Sequence, residues 1–244
     1  MIVARLSSMD VKTRKITFLN EQVADYIKKY NIGSVCVFQG SPELQASYLN
    51  SLKSLAKTPL LVTIDGEWGV AMRLFDSVMS LPRQMMLGAV HNPKIIYQYG
   101  KVVADQCKRL GIQMNYAPVV DVNNNPNNPV INDRSFGEDK FKVALFGTQY
   151  MKGMQDNGVM ACAKHFPGHG GVGADSHTAL PVDERPLSAI KEHDLVPFSQ
   201  LATLLNGVMP AHVVYSAFDS RPAGFSPSWL GMLRESLGFK GCIF

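Results

Sequence analysis

Charge is scarce in this chain of 244 residues: only 18% are Asp, Glu, Lys or Arg, and the 24 basic against 20 acidic side chains leave a net +4. The basic residues recur singly among acids, so they form no stripe of the kind that tracks a nucleic-acid backbone. No apolar run approaches the length of a membrane span, and no Gly-X-Y or heptad repeat persists. No Gly/Ser-rich linker or shift in composition divides the chain, which reads as one domain over residues 1–244. The expected partner is a small neutral or mildly anionic molecule, without nucleic acid and without a membrane span.

Cysteine is equally sparse. Cys36, Cys107, Cys162 and Cys242 lie far apart with no CxxC, which excludes a zinc ribbon or a disulfide framework and predicts buried free thiols. The opening MIVARLSSMDVKTRK is too short in apolar residues for a signal-peptide core. A cytoplasmic location follows, or a periplasmic or extracellular one if an export signal has been removed.

What the chain does have is alternation. Helical patterns are predicted at Asn20–Tyr30, Gln45–Ala56, Asn92–Leu110, Lys140–Asn157, Leu187–Asn206 and Ser226–Leu237. Between them lie strand-like runs at Ser34–Phe38, Leu60–Ile64, Gln113–Val120, Val159–Phe166, Val208–Tyr215 and Gly241–Phe244. Six βα-type units in succession predict an α/β fold with a parallel sheet. Gly111, Gly158, Gly207 and Gly238 stand where helices hand over to strands, as expected of left-handed C′ residues. Asn92-Pro93 and Ser226-Pro227 are matching start signals.

Polar residues follow strand after strand: Asp65-Gly66-Glu67 after LLVTI, Asp121 after APVV, Lys164-His165 closing VMACA, and His212 in VMPAHVVY. A doubly wound sheet gathers such residues only at its switch point, whereas a TIM (β/α)8-type barrel brings every strand end to one mouth. The barrel is the reading adopted, and it is incomplete, because six strands are assignable and eight are usual.

The densest segment is KHFPGHGGVGADSHTALP, residues 164–181. Its Gly168-x-Gly170-x-x-Gly173 has the outline of a dinucleotide fingerprint, but no helix follows, and the glycines are read as a loop able to move over a substrate. His165 and His169 have the spacing of a zinc helix, which Pro167 and Gly168 would break; no metal and no cofactor is assigned. Asp175 and His177, two apart, suit a carboxylate that holds one ring nitrogen while the other acts as general acid and base. The bland reading is a surface histidine beside a turn-forming Asp. Arg73 and Arg134 offer forked donors for sugar hydroxyls or carboxylates, or simply tie loops to acids. Asp121 is either a ligand contact or an anchor behind Arg134.

In order along nearly the whole chain, IDGEWGVAMR, NYAPVVDV, NDRSFGED, KHFPGHG and DSH resemble the N-terminal barrel of glycoside hydrolase family 3, in its β-N-acetylhexosaminidase branch. The resemblance implies a retaining exo-β-N-acetylglucosaminidase acting on peptidoglycan fragments or chitooligosaccharides. It further implies that Asp65, Arg73, Arg134, Lys164 and His165 bind the sugar, and that His177 is the acid/base oriented by Asp175. The family's aspartate nucleophile lies in a Ser-Asp-Asp segment directly after a strand like GFKGCIF. The chain stops at Phe244, so further C-terminal residues in a parent protein are expected, and this fragment is expected to be inactive. Two positions depart from the family pattern: Trp68, where a second glycine is usual, and Gly171, often Asp. Trp68 and His212 are taken as supporting positions around the pocket. The alternatives are a β-glucosidase of the same family, a metal-dependent hydrolase and a non-catalytic sugar-binding module.

Overall fold

Seven strands lie side by side in one parallel sheet, in the order in which the chain makes them: Val3–Arg5, Ser34–Val37, Leu61–Ile64, Met114–Asn115, Met160–Phe166, Gly207–Pro210 and Cys242–Ile243. The computed structural model describes residues 2–75, 78–175 and 179–244. Helices Asn20–Tyr30, Pro42–Leu55, Pro93–Arg109 and Lys140–Gln155 form the main crossovers between successive strands. Val3 and Arg5 on one edge strand and Cys242 and Ile243 on the other line a single cavity of about 700 Å³ with Tyr116 and Met209. The sheet therefore curls toward a barrel, yet among the described residues its first and last strands do not pair. This is an α/β fold of TIM-barrel type, incomplete here.

The strand burial follows the layering. Ser34–Val37 is buried throughout, as expected of a strand covered on both faces. Outside it, helices Pro93–Arg109 and Lys140–Gln155 cross at Gly100 and Gly153. A Cβ on Gly100 would lie 2.4 Å from the Tyr150 carbonyl oxygen, and one on Gly153 would lie 2.2 Å from that of Tyr97. Only glycine at both positions lets the two backbones meet so closely.

Several sequence expectations change. The Val3–Arg5 strand was not anticipated, because three half-exposed residues at a sheet edge carry no hydrophobic run. The expected strand Gln113–Val120 keeps continuous ladder pairing at Met114–Asn115 and returns to its neighbour in a single bridge of Val119 to Lys164; Pro118, between them, has no N–H to donate. Leu187–Asn206 divides into Leu187–Glu192 and Leu195–Leu201, which leaves Pro197 in the first turn of a new helix, where its missing N–H costs nothing. Val208–Tyr215 likewise divides: the ladder runs to Pro210, and Val214–Tyr215 pairs instead with Val182–Asp183.

The start signals hold, since the Asn92 and Ser226 side chains accept from Lys94 N and Trp229 N. Gly111, Gly158 and Gly238 take the positive φ expected of them. Gly207 does not cap a helix: it sits inside a strand, where a Cβ would come within 2.5 Å of Met114 Cε. Of the four free thiols, Cys36, Cys107 and Cys162 are buried, whereas Cys242 on the edge strand is exposed.

Candidate active site

Because all seven strands run in parallel, the residues that follow them share one rim. Leu61–Ile64 delivers Asp65-Gly66-Glu67 there, and this turn is fixed on every side. Buried Asn115 accepts from Gly66 N at 2.9 Å and donates to Gly66 O at 2.9 Å. Tyr150 Oη and Gln84 Nε2 both donate to the Glu67 carbonyl at 2.9 Å. A turn with its amide groups so satisfied aims two carboxylates with little freedom left.

Those carboxylates meet three cations. Lys164 Nζ lies 2.6 Å from Asp65 Oδ1 and 2.8 Å from Glu67 Oε1. Arg73 reaches Asp65 Oδ2 at 2.5 Å and also donates to the Asp65 carbonyl. Arg134 grips Glu67 with a two-pronged pair, Nε to Oε2 at 2.9 Å and Nη2 to Oε1 at 2.7 Å. Burial works to raise both carboxyls, but Lys164, joined by Arg73 at Asp65 and by Arg134 at Glu67, outweighs it and holds them below the usual range. For Lys164 burial favours the neutral amine, and the two carboxylates overcome it, so the ammonium persists. Asp65, at 24% exposure, is the member of this buried cluster that opens toward the cavity.

Beside it, His165 Nδ1 lies 2.7 Å from Asp121 Oδ2, and Asp121 Oδ1 accepts from the backbone N–H groups of His165 and His169. Burial pushes the imidazole down to about 4 against the pull of Asp121, so the ring is neutral near pH 7. With its Nδ1 proton directed at Asp121, a neutral ring presents the Nε2 lone pair, which faces Arg134 Nη2 at 3.5 Å. The rim thus holds anionic acceptors, fixed cationic donors and a neutral imidazole close together, a set suited to a polyhydroxylated ligand.

The family model of the glycosyl hydrolase family 3 N-terminal domain matches residues 3–244. This chain belongs to that family. It is 39% identical to a beta-hexosaminidase of Thiobacillus denitrificans and 38% identical to one of Nitrosomonas eutropha, each match covering 87% of the chain. The matches span 62% and 64% of those two relatives. Among solved structures, a family 3 beta-N-acetylglucosaminidase from Paenibacillus superimposes with a TM-score of 0.89 at 34% identity, covering 99% of this chain and 46% of that one. NagZ from Neisseria gonorrhoeae, in complex with N-trifluoroacetyl-D-glucosamine, gives 0.87 at 32% identity, covering 100% and 73%.

Set against this family 3 barrel, the structure brings Asp65, Arg73, Arg134, Lys164 and His165 together in one cluster. Asp121 stands behind His165, not behind Arg134, whose anchor is Glu67. Glu67 itself, 1% exposed, is the bridging acid that sequence reasoning missed; its signal was its place two residues after Asp65 at the same strand end. Trp68 is half-buried beneath the Arg83 guanidinium at 4.4 Å, and Arg83 pairs with Asp133, the neighbour of Arg134. His212 is exposed at the end of the Gly207–Pro210 strand. Asp175 lies in the loop between Met160–Phe166 and Val182–Asp183, and His177 falls outside the described residues. Two of the glycines before it are packed: a Cβ would come within 2.5 Å of Asp194 from Gly168 and 1.7 Å of the Val122 carbonyl from Gly170, whereas one on Gly173 would meet nothing nearer than 3.9 Å. They serve close approach of loop to frame, which the expectation of a mobile loop had not included.

Proposed function

We propose that this chain carries the sugar pocket and acid/base loop of a retaining exo-β-N-acetylglucosaminidase that acts on terminal N-acetylglucosamine in peptidoglycan fragments or chitooligosaccharides. The observation that carries the reading is the cluster of Asp65, Glu67, Lys164, Arg134 and His165 at one strand-end rim, in a chain whose relatives are named beta-hexosaminidase. Asp65 accepts from ring hydroxyls and gains strength as positive charge develops at the anomeric carbon and makes those hydroxyls better donors, while Lys164 and Arg134 donate to the hydroxyls and hold the ring in place.

In the proposed chemistry His177, oriented by Asp175, protonates the glycosidic oxygen as the bond to the anomeric carbon breaks. A carboxylate attacks the opposite face and forms a glycosyl ester. The same histidine, now neutral, takes a proton from water, which attacks the anomeric carbon and frees the carboxylate. As the resemblance to family 3 implies, we assign the nucleophile to an aspartate of a Ser-Asp-Asp segment that would follow the Cys242–Ile243 strand in a longer chain; Asp65, Glu67 and Asp121 are each committed to a cation or a ring already described. The Cys242–Ile243 strand is parallel to its neighbour Gly207–Pro210, so such residues would emerge at the same rim.

The test is hydrolysis by a chain continued past Phe244. An aryl β-N-acetylglucosaminide should be turned over in preference to the matching β-glucoside, and Asp65→Asn should lose kcat/KM by roughly 10²-fold or more, as expected when a buried partner for a sugar hydroxyl is removed. Equal turnover of both glycosides, or full activity of Asp65→Asn, would overturn the reading.

A further inference from the structure

We infer that Arg185 is a positioning residue: its guanidinium clasps Gly171 and Asp183, at the two ends of the loop that carries Asp175, and thereby fixes the points from which that loop is presented. The inference rests on the acid/base reading of that loop and goes beyond it by naming what holds the loop.

The loop leaves the sheet after Phe166 and rejoins regular structure at Val182–Asp183. Its entry is pinned at successive points. Tyr215 Oη donates to Gly168 O at 2.6 Å, Asn128 Nδ2 donates to His169 O at 2.7 Å, and Asn125 Nδ2 donates to Gly171 O at 3.3 Å. Its exit is pinned by pairing of Val182–Asp183 with Val214–Tyr215 and by Ser216 N, which donates to Asp183 O at 3.0 Å.

Arg185 joins the two. Its Nε and Nη2 fork onto Asp183 at 3.0 and 2.7 Å, and its Nη1 and Nη2 fork onto Asp194 at 3.0 and 3.1 Å. Asp194 is fully buried and lies against Gly168, while Asn124 Nδ2 donates to it at 3.2 Å. The guanidinium also lies against Gly171, where an added Cβ would stand 2.2 Å from Nη2 and 2.5 Å from Cζ. One planar group therefore touches the loop's entry at Gly171 and its exit at Asp183, and it is bolted to the barrel frame through Asp194. Five N–H···O contacts to two carboxylates, Nε being shared between both oxygens of Asp183, fix its plane as a lysine ammonium could not. Between the clasped ends only residues 172–182 remain, and Asp175 is four residues from the clasp. Among the described residues, Asp65, Glu67, Arg134 and Lys164 share no hydrogen bond with Arg185.

That separation dictates the test. Arg185→Met and Arg185→Lys are compared with the parent by hydrogen exchange of the chain and by steady-state kinetics of a chain continued past Phe244. In Arg185→Met, peptides covering residues 172–182 should exchange at least about tenfold faster while the strands keep their protection. In the same variant kcat should fall by roughly 10²-fold with KM within about twofold. Arg185→Lys should recover part of both. As a second route, Gly171→Ala should loosen the loop in the parent background and add little in Arg185→Met, where no fork remains to displace.

Unchanged exchange and kcat in Arg185→Met would overturn the clasp, and so would protection lost evenly across the whole chain, which is the mark of a residue that only stabilises the fold. If the parent cleaves no N-acetylglucosaminide, the acid/base reading fails while local exchange still decides whether Arg185 holds the loop.

Discussion

Lys164 and Glu67 face each other at 2.8 Å with 3% and 1% of their side chains exposed, and each is shared, Lys164 with Asp65 and Glu67 with Arg134. A buried pair of this kind is costly to break from one side, because the charge left behind has lost its partner and has no water. Glu67→Gln keeps shape and removes the charge that balances both cations. We expect a loss of about 3–5 kcal/mol in stability, read as a lower urea midpoint, together with loss of N-acetylglucosamine binding. An unchanged midpoint would mean that the cluster is not balanced as described.

The helix crossing is a second point where one atom decides the outcome. Gly153→Ala places a methyl 2.2 Å from the Tyr97 carbonyl oxygen, so the two helices must part. Overpacking of this sort costs about 1–3 kcal/mol. Tyr150 lies on the moving helix and donates to the Glu67 carbonyl, so sugar affinity should fall along with the melting temperature. Glycine-to-alanine substitution in an ordinary helix would stabilise, which makes the sign of the change diagnostic.

His165 gives the fold an acid limit. Burial holds its folded value near 4, below the ordinary 6.5, so the unfolded chain takes up this proton first as pH falls. Stability from this source is intact above pH 6.5 and declines progressively down to about 4. Between pH 7 and pH 5 the loss should be on the order of 2 kcal/mol. His165→Gln should lose less over that interval, as urea midpoints at the two pH values would show, whereas parallel losses in both proteins would refute the assignment.

Thiol accessibility is a simple test of the sheet edge. Burial raises Cys36 and Cys107 to about 12 and pushes Cys162 higher still, whereas Cys242 is exposed. An aromatic disulfide reagent should therefore titrate one thiol in the native chain and four after denaturation. Substitution of Cys242 by serine should abolish the native reaction.

Most of the fold was legible because the sheet is built from short β-branched runs separated by helices with clear caps, and because central strands such as Ser34–Val37 are buried on both faces. Elements broken by Pro118, Pro197 and Pro210 were drawn too long, since hydrophobic pattern alone does not register a missing N–H. Val3–Arg5 was invisible, being held by its neighbour strand and not by its own hydrophobicity. In the site, Asp65, Arg73, Arg134, Lys164 and His165 were legible from motif and strand-end position. Glu67 was not singled out, because an acid beside an acid looks redundant until Arg134 is seen gripping it across 67 residues of sequence. Arg185 and Asp194 lay in an unremarkable helical approach, and only the packing of Gly168 and Gly171 against them shows what they do.

The account stands or falls on the proposed role of His177 as the general acid. The direct measurement is kcat/KM of His177→Ala, in a chain continued past Phe244, on aryl β-N-acetylglucosaminides with good and poor leaving groups. Protonation by a positioned group contributes roughly 10²–10⁴-fold, so the poor leaving group should lose activity in that range while the good one loses far less. Wild-type turnover of the poor leaving group by His177→Ala would contradict the account.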